Sequence, residues 1–292
     1  MNRKNSQFIF CVKCKGTLIL DVFDETTEIN EGFFLCNNCH LKFPIISKIP
    51  ILLENLPQFL ANRSSLGGLL FELSITKVMK EFIKNIMSKV KKSENDFFQT
   101  EKRWTCIYLS NKKLSFYKNI KSHISKIPAK NFVLEYGSSI GIISNTLGSK
   151  HTHVFGIDTS FSALLEAKKK SPKNCEYFLS DIFHNPLGKK KFDLILALNM
   201  FELVEPLLLL KTISKQISNG FIFLSDPYDY DRGKNSVKNP LNENQIRETL
   251  RQNKFQISKT TKNPSKINWN LKINDRTQLK YKVDIILARK ST

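Results

Sequence analysis

The stretch "VLEYGSSIGIISNTLG", residues Val133–Gly148, decides the fold of this chain. An apolar run contains the acidic Glu135, turns between Gly137 and Gly141, and continues as a helix-like segment. Strand, tight glycine turn and helix, in this order, are typical of the loop that holds a nucleotide in an open α/β sheet. Ser139 stands where a second glycine is often found. The loop alone therefore leaves open which nucleotide-like molecule it holds, if any.

The segments around this loop alternate between strand-like and helix-like patterns. Five apolar runs that end in polar residues are predicted to be buried parallel strands: NFVLEY, HVFGID, CEYFLSD, KFDLILALN and FIFLSD. Ser160 is predicted to cap one helix, Pro206 to open another, and Asn242 with Gln245 to form a capping box. FQISKT and YKVDIILAR are expected to close the sheet as its antiparallel edge. The alternation predicts a Rossmann-like α/β sheet with helices on both faces.

Three cofactor classes compete for the loop. A dinucleotide fingerprint needs Gly-x-Gly-x-x-Gly, but Ser139 and Ile142 occupy its second and third glycine positions, which disfavours NAD and FAD. A P-loop is excluded because no Gly-Lys-Ser/Thr follows. The S-adenosylmethionine version has an acidic residue before Gly-x-Gly-x-Gly, and Glu135, Gly137, Ser139 and Gly141 match it with one small substitution. The loop therefore predicts S-adenosylmethionine binding.

Polar residues at the ends of the later strands support this prediction. Asp158 ends the second strand about twenty residues on, where a carboxylate can accept both ribose hydroxyls. Asn199 ends the fourth strand and is expected beside the methionine part of the cofactor. Asp226 and Tyr228 follow the fifth strand and are expected to line the acceptor pocket. The alternative is that Asp226-Pro227-Tyr228 only stiffens its loop.

A separate cysteine cluster lies near the start of the chain. Cys11 and Cys14 form one Cys-x-x-Cys knuckle, and Cys36 and Cys39 form a second about twenty residues later. Two knuckles at this spacing supply the four thiolates of a tetrahedral zinc site. Because four ligands leave no open coordination position, the predicted zinc is structural, and the adjacent His40 is not needed as a ligand. The alternative is four reduced cysteines without metal.

The first fifty-odd residues resemble a known family. "CVKCKGTL…CNNCHLKFPIISKIPILL" is similar to the small zinc-ribbon family that activates tRNA and translation-factor methyltransferases as a separate subunit. The matching features are both knuckles, Lys15-Gly16 and the tail from Phe43 to Leu53. The tail departs at Ser47 and Lys48, where that family has an acidic residue and glycine. The resemblance implies a zinc ribbon that supports a methyltransferase and is fused to it here.

The chain from Phe97 to its C-terminus resembles the class I S-adenosylmethionine-dependent methyltransferases. That resemblance implies that Asp181, at the end of the third strand, addresses the adenine. The segments YGSSIG, ALNMFELVEP, SDPYDYDRG and NWNLKINDRTQLKYKVDIILARK are similar to the mercaptohistidine N-methyltransferase domain of ovothiol biosynthesis, which methylates a small imidazole. Residues 229–239 depart from that pattern. The fold and the cofactor are what this likeness implies.

Three zones follow along the chain. Residues 1–55 are predicted to be the zinc ribbon, residues 56–128 a helical linker and lid region, and residues 129–292 the S-adenosylmethionine-binding methyltransferase domain. In the middle zone, LLFELSITKVMKEFIKNIMSKVKK has apolar residues at helical spacing and lysines between them. This stripe is predicted to pack on a neighbouring domain, the alternative being a membrane surface. Its apolar positions are Leu70, Ile75, Val78, Met79, Phe82 and Ile86.

The formal net charge of +20 admits two interpretations. Lysine and arginine in excess suit a nucleic-acid partner, whereas scattered lysines also follow from a general lysine-rich composition. No apolar run is long enough to cross a bilayer, and the N-terminal apolar stretch is too short for a signal-peptide core. We therefore expect a cytoplasmic protein with no integral membrane association.

Three function hypotheses remain at this point. The leading one is a methyltransferase that acts on a nitrogen or sulfur nucleophile of a small molecule. The second is a methyltransferase of RNA or of a translation protein, with an RNA or ribosome-associated partner. The third is a non-catalytic zinc-containing nucleic-acid-binding protein. The third would carry only a remnant of the cofactor fold, and the intact acidic set Glu135, Asp158 and Asp181 argues against it.

Overall fold

The computed structural model describes residues 1–91, 93–231 and 236–291. Arg232 and Gly233, which end the SDPYDYDRG segment, lie outside the described residues, as do two further residues of the 229–239 stretch. The chain divides into two compact units. The first contains Met1–Cys106, Ser138–Gly141 and Gly156–Gly188, and the second contains Ile107–Gly137, Ile142–Phe155 and Lys189–Thr292.

After a 3₁₀ helix at Arg3–Phe8, the first unit continues with an antiparallel meander of four strands. These strands are β1 (Leu18–Glu25), β2 (Ile29–Cys36), β3 (Lys42–Ile46) and β4 (Ile49–Leu52). Ser47 and Lys48, the two residues that depart from the zinc-ribbon pattern, form the turn between β3 and β4. Their φ angles are 50° and 69°. Two successive residues in the left-handed region make the tight hairpin turn that matches strand twist. The turn is therefore kept without the glycine.

Strand β4 also pairs in parallel with β7 (Cys175–Ser180). Ile51 lies opposite Leu179 and Leu52 opposite Ser180, whose hydroxyl donates to the Leu52 carbonyl at 3.0 Å. The end of β6 (His153–Asp158) and α7 (Phe161–Lys169) complete the α/β part of this unit. The strands of the cysteine-bearing segment are thus continuous with a strand of the α/β part.

Four helices follow the meander. They are α1 (Leu56–Ala61), α2 (Ser64–Leu73), α3 (Lys77–Ser88) and α4 (Phe97–Ser110). The predicted apolar stripe is buried at Leu70 and Met79, but the prediction is wrong at Ile75 and Val78, which are 57% and 53% exposed.

Ile75 and Val78 are exposed because the segment forms two helices, α2 and α3, instead of one. The break between them contacts Glu31, a buried acidic residue on β2. The carboxylate of Glu31 accepts hydrogen bonds from the backbone N–H groups of Ile75 and Thr76, at 2.6 and 3.0 Å, and from the Thr76 hydroxyl. These bonds hold the break, and the Thr76 side chain then caps α3 by accepting from Met79 N at 3.3 Å. A long-range contact therefore overrides the local helical spacing.

The second unit contains parallel strands and an antiparallel edge. Strands β5 (Phe132–Tyr136), β8 (Leu194–Leu198) and β9 (Gly220–Asp226) pair in parallel in that order. Strand β12 (Gln278–Lys290) pairs antiparallel with β9, with β10 (Phe255–Ile257) and with β11 (Ile267–Lys272). The prediction that FQISKT and YKVDIILAR form an antiparallel edge is confirmed.

The helices of the second unit are α5 (Ser115–Ile124), α6 (Ile142–Leu147), α8 (Pro206–Gln216) and α9 (Glu243–Gln252). The helix signals read from the sequence are confirmed in both units. Ser160 accepts from Ala163 N at 3.4 Å in front of α7, Pro206 opens α8, and Asn242 with Gln245 forms the capping box of α9.

Parallel strands alternate with helices, and their side chains are almost all buried, as the near-continuous apolar runs required. The α/β, Rossmann-like fold class is thereby confirmed. Among the described residues, no helix combines the length and the apolar character that crossing a membrane needs.

Candidate functional site

Three positions of the glycine turn have left-handed backbones. The φ angles are 65° at Gly137, 46° at Ser139 and 72° at Gly141. A Cβ on Gly137 would lie 2.3 Å from Sδ of Met200, and one on Gly141 would lie 2.6 Å from the Tyr177 hydroxyl oxygen. Both glycines are therefore required by conformation and by space. Ser139 adopts the conformation of the glycine that it replaces.

Asp158 is held by backbone N–H groups at the end of β6. Its Oδ2 accepts from Ser139 N at 2.8 Å and its Oδ1 from Ser160 N at 2.7 Å. Burial raises the pKa of Asp158 above its ordinary value, and the backbone N–H groups of Ser160, Ser139 and Thr159 oppose that rise. A carboxylate has about four acceptor sites, so three backbone donors leave capacity for a further hydrogen bond. The carboxylate is thus fixed in place and still has acceptor capacity for a ligand.

Asp181, also in the first unit, follows β7. Its Oδ1 accepts from Phe183 N at 2.6 Å and so caps the short 3₁₀ helix Ile182–His184. The side chain remains 47% exposed, and Nδ1 of His184 lies 3.9 Å from Oδ1. A carboxylate in this state is accessible to a ligand.

In the second unit, Glu135 lies near the end of β5, and Asn199 directly follows the neighbouring parallel strand β8. Glu135 is buried and accepts a hydrogen bond from the Ser144 hydroxyl on α6. Asn199 has a φ of 55°, and its N–H donates to the Ser225 carbonyl at 2.6 Å. Its side-chain oxygen accepts from the Ser225 hydroxyl at 3.0 Å. Asparagine tolerates the left-handed conformation, and the two bonds to Ser225 hold both its backbone and its side chain in place.

Asp226 joins two loops. It is 1% exposed, its Oδ2 accepts from Phe201 N at 2.8 Å, and its Oδ1 accepts from Tyr228 N at 2.8 Å. The loop after β8 and the loop after β9 are therefore tied through one carboxylate. Tyr228 itself has a φ of 54°.

The Tyr228 ring belongs to an aromatic group in the second unit. Its ring is parallel to that of Phe201, with the centroids 6.4 Å apart, and it lies 6.4 Å from the ring of Tyr230. Burial, followed by the charge of Asp226 and then of Glu202, raises the pKa of Tyr230. Aromatic faces beside acidic groups suit a flat or positively charged molecule.

Sequence reasoning missed the pair behind Tyr228. The guanidinium of Arg247 donates to Asp284 at 2.6 and 3.0 Å, and both residues are nearly fully buried. Tyr228 Oη donates to the same carboxylate at 3.0 Å. Burial and the charge of Asp284 raise the pKa of Tyr228. Because the partners lie far apart in the sequence, no local pattern announces this network.

The four cysteines of the two knuckles meet in the first unit. Their sulfur atoms all lie within 4.8 Å of one another, and the shortest separations are 3.4 Å, for Cys11 with Cys39 and for Cys14 with Cys36. Each knuckle ends in a left-handed residue, Lys15 or His40, whose N–H donates to the first cysteine carbonyl at 2.9 Å.

Sulfur atoms at these separations fit a tetrahedral ion with metal–sulfur distances of about 2.3 Å. Burial raises the pKa of Cys11 to about 12, whereas at Cys36 the backbone N–H of Cys39 and other donors outweigh burial and lower the pKa to about 7. A bound cation would favour the thiolate form of all four. The donor set and its geometry are compatible with zinc.

Comparison with known proteins identifies the α/β part. Residues 134–224 match the family model of the methyltransferase domain. The malonyl-[acyl-carrier protein] O-methyltransferase of Hamiltonella defensa subsp. Acyrthosiphon pisum (strain 5AT) is 40% identical over 65 residues, 22% of this chain. That stretch spans only 25% of the relative's length.

Two solved structures are similar in fold. One is a chain from the complex between the Haloferax volcanii Trm112 methyltransferase activator and a methyltransferase. It has a TM-score of 0.51 at 12% identity, and the alignment covers 68% of this chain and 98% of that one. Magnesium protoporphyrin IX methyltransferase from Synechocystis PCC 6803 has a TM-score of 0.49 at 16% identity, over 67% and 97%. The family match shows that residues 134–224 are a methyltransferase domain, and the first of these two structures shares its fold.

Proposed function

We propose that this chain is an S-adenosylmethionine-dependent methyltransferase that methylates a nitrogen or sulfur nucleophile of a small molecule. The observation that carries the proposal is the turn at Gly137, Ser139 and Gly141, whose left-handed backbone lets a ligand approach closely. The fixed carboxylate of Asp158, held by the N–H of Ser139, supports the same reading.

Each predicted residue has a separate part in this proposal. Asp158 would accept from the ribose hydroxyls, and Asp181 would address the adenine. Glu135, Gly137, Ser139 and Gly141 would shape the loop around the cofactor, and Asn199 would lie beside its methionine part. When bound, S-adenosylmethionine supplies a methyl group already activated by the sulfonium. The protein's main task is then to align the acceptor atom with that methyl group.

On the acceptor side, Asp226 and Tyr228 remain our candidates for the pocket. The stacked rings of Phe201 and Tyr228 favour a small, flat acceptor. Because both oxygens of Asp226 already accept backbone N–H groups, we expect its main effect to be positioning of the two loops. The likeness to a domain that methylates an imidazole supports a nitrogen acceptor.

The cysteine-bearing segment, residues 1–55, is proposed to be a structural zinc ribbon that supports residues 129–292. The parallel pairing of β4 with β7 favours this, because the ribbon strands extend the sheet directly. The Haloferax volcanii complex contains a separate methyltransferase activator. In this chain the corresponding support would be covalent, with residues 56–128 as linker and lid.

A second candidate function, methylation of RNA or of a translation protein, is favoured by the β11–β12 hairpin. Lys280 and Lys282 lie on one face of β12, opposite Asn270 and Asn268, and Lys272 lies opposite Gln278. The three lysines are exposed. A face of ammonium and amide groups suits a phosphate backbone. Binding of RNA that weakens steeply with salt would favour this candidate.

The test of the proposed function is calorimetric titration of the full chain with S-adenosylmethionine and with NAD. We expect binding of the first only, and Asp158→Ala to weaken it by about 2–3 kcal/mol through loss of charged hydrogen bonds. Glu166→Ala, at a half-buried acid on α7 that pairs with Lys169, is the matched control. Unchanged affinity for S-adenosylmethionine in Asp158→Ala would contradict the proposal that Asp158 binds the ribose of the cofactor. Labelled S-adenosylmethionine incubated with fractionated cell extract then identifies the acceptor class by whether label enters metabolites, RNA or protein.

A further inference from the structure

Helix α4 carries a second carboxylate toward Asp158. Thr105 on α4 exchanges a hydrogen bond of 2.9 Å with the Ser162 hydroxyl, and Ser162 is 3.1 Å from the Ser160 hydroxyl. The N–H of Ser160 in turn donates to Asp158. Glu101 is four residues before Thr105, so both occupy the same face of the helix. Through Thr105 this face packs on the start of α7, which follows the end of β6 where Asp158 is fixed.

Only half of the Glu101 carboxylate is engaged by the protein. Its Oε1 accepts from Nε of Arg63 at 2.7 Å, and the side chain is 17% exposed. Its Oε2 is buried and has no hydrogen-bond partner in the described part of the chain. A buried acceptor without a donor is costly, and such atoms in a folded protein call for an explanation.

The charges around Glu101 indicate which kind of group could be the missing partner of its Oε2. Burial raises the pKa of Glu101, Arg63 opposes that rise, and the negative charge of Asp158 adds to it. Arg63 already pairs with Glu101, so the missing partner need not be a cation. Two carboxylates close enough for the charge of one to act on the other, each with acceptor capacity to spare, suit a ligand with two neighbouring hydroxyl donors. The ribose of a nucleoside is such a ligand.

We propose that Glu101 is a second ribose-binding residue, whose Oε2 accepts one hydroxyl while Asp158 accepts the other. This inference rests on the proposed function, because it takes the cofactor as the ligand. It assigns to α4, which precedes the nucleotide loop in sequence, a direct part in holding the cofactor. Arg63 then acts as a positioning residue that orients the Glu101 carboxylate.

The test combines protein variants with ligands that lack one hydroxyl. S-adenosylhomocysteine and its 2′-deoxy and 3′-deoxy analogues are titrated into the full chain, as wild type, Glu101→Gln and Glu101→Met. In the wild type, removal of the hydroxyl that Glu101 holds should weaken binding by about tenfold or more. In Glu101→Met, the parent ligand should bind about tenfold more weakly, and removal of the same hydroxyl should then cost little.

Two further variants separate this role from a structural one. Arg63→Met breaks the same ion pair but keeps the Glu101 carboxylate, so the dependence of affinity on the hydroxyl should weaken less than it does in Glu101→Met. Glu72→Gln, an exposed acid on α2, should bind all three ligands as the wild type does. Urea unfolding checks the fold of each variant, and Glu101→Gln, which keeps the contact with Arg63, decides the question if Glu101→Met does not fold.

The outcomes distinguish the inference from its premise. If each deoxy analogue loses the same factor in the wild type and in the Glu101 variants, Glu101 does not contact the ribose and the inference is overturned. If Glu101→Gln lowers only the free energy of unfolding, the residue is structural and the inference also fails. If the wild type does not bind S-adenosylhomocysteine at all, the proposed function itself fails.

Discussion

The hydroxyl of Tyr228 donates a hydrogen bond of 3.0 Å to Oδ2 of Asp284, a carboxylate already held by Arg247. The hydroxyl therefore faces a buried ion pair, while the ring stacks on Phe201. Hydroxyl and ring of the same residue have separate contacts. This separation makes it possible to ask which part of Tyr228 serves an acceptor.

The first prediction concerns Tyr228→Phe and Asp226→Asn. If both residues act on the acceptor side, these changes should spare S-adenosylmethionine affinity and lower turnover, because methyl transfer depends steeply on acceptor alignment. Tyr228→Phe should also cost about 1 kcal/mol of unfolding free energy, since Asp284 loses one donor. Steady-state kinetics and calorimetry on the same preparations measure the two effects separately.

The alternative is that the segment only stiffens the loop after β9. In that case both conservative variants should turn over as the wild type does, while Pro227→Gly, which frees the backbone, should lower activity. Wild-type kcat in both Tyr228→Phe and Asp226→Asn would remove these residues from the acceptor pocket.

The second prediction concerns the serine in the glycine turn. A non-glycine residue at a φ of 46° is strained by about 1–2 kcal/mol, partly offset by the smaller backbone entropy that serine loses on folding. Ser139→Gly should therefore be neutral or raise the unfolding free energy by up to about 1 kcal/mol. Gly141→Ala should lower it, because the new Cβ would meet the Tyr177 hydroxyl oxygen at 2.6 Å. Urea unfolding curves compare both with the wild type, and a clearly destabilised Ser139→Gly would show that the serine side chain itself is needed.

The third prediction concerns metal. Purified protein should contain about one zinc per chain, and Cys36→Ser should lose it because one missing thiolate opens the tetrahedron. Elemental analysis measures the stoichiometry, with Cys106→Ser, an exposed cysteine on α4, as the control that keeps its zinc. Stoichiometric zinc in a variant with Cys11, Cys14, Cys36 and Cys39 all replaced would refute the assignment.

Structural features that depend on residues close together in the sequence could be predicted from it. Features that depend on contacts between distant residues could not. The cap at Ser160, the capping box at Asn242 and the strand that ends at Asp158 depend on local chemistry, and the sequence displays it. The break between α2 and α3 depends on Glu31, more than forty positions upstream of Thr76, and the helical spacing gave no sign of it.

The same distinction applies to the candidate site. The sequence predicts that Asp226 lies at the end of a strand, and it ends β9. Both of its oxygens accept hydrogen bonds from loop N–H groups, and the sequence pattern does not reveal these contacts. Glu101 lies in an unremarkable helix, and its proximity to Asp158 follows from packing through Thr105 and Ser162. Long-range contacts of this kind decide which candidate side chains retain acceptor capacity.

The fourth prediction concerns acid stability and His151. This histidine is buried, and its Nδ1 accepts from Lys130 N at 3.1 Å. Burial, then the positive charges of Lys150 and Lys130, lower the pKa of His151 to about 4 from an ordinary value of 6.5. The folded state thus binds the proton less readily than the unfolded state does. The resulting stability is fully present above pH 6.5 and is lost as the pH falls toward 4.

The pKa difference sets an upper limit of about 3 kcal/mol on this contribution. We expect wild-type unfolding free energy, measured in urea, to fall between pH 7.5 and pH 5.0 by about 2 kcal/mol more than that of His151→Gln. The glutamine oxygen can still accept from Lys130 N, so the variant removes the titration and keeps the hydrogen bond. Identical pH dependence in wild type and His151→Gln would mean that His151 titrates alike in the folded and unfolded chain, contrary to its burial.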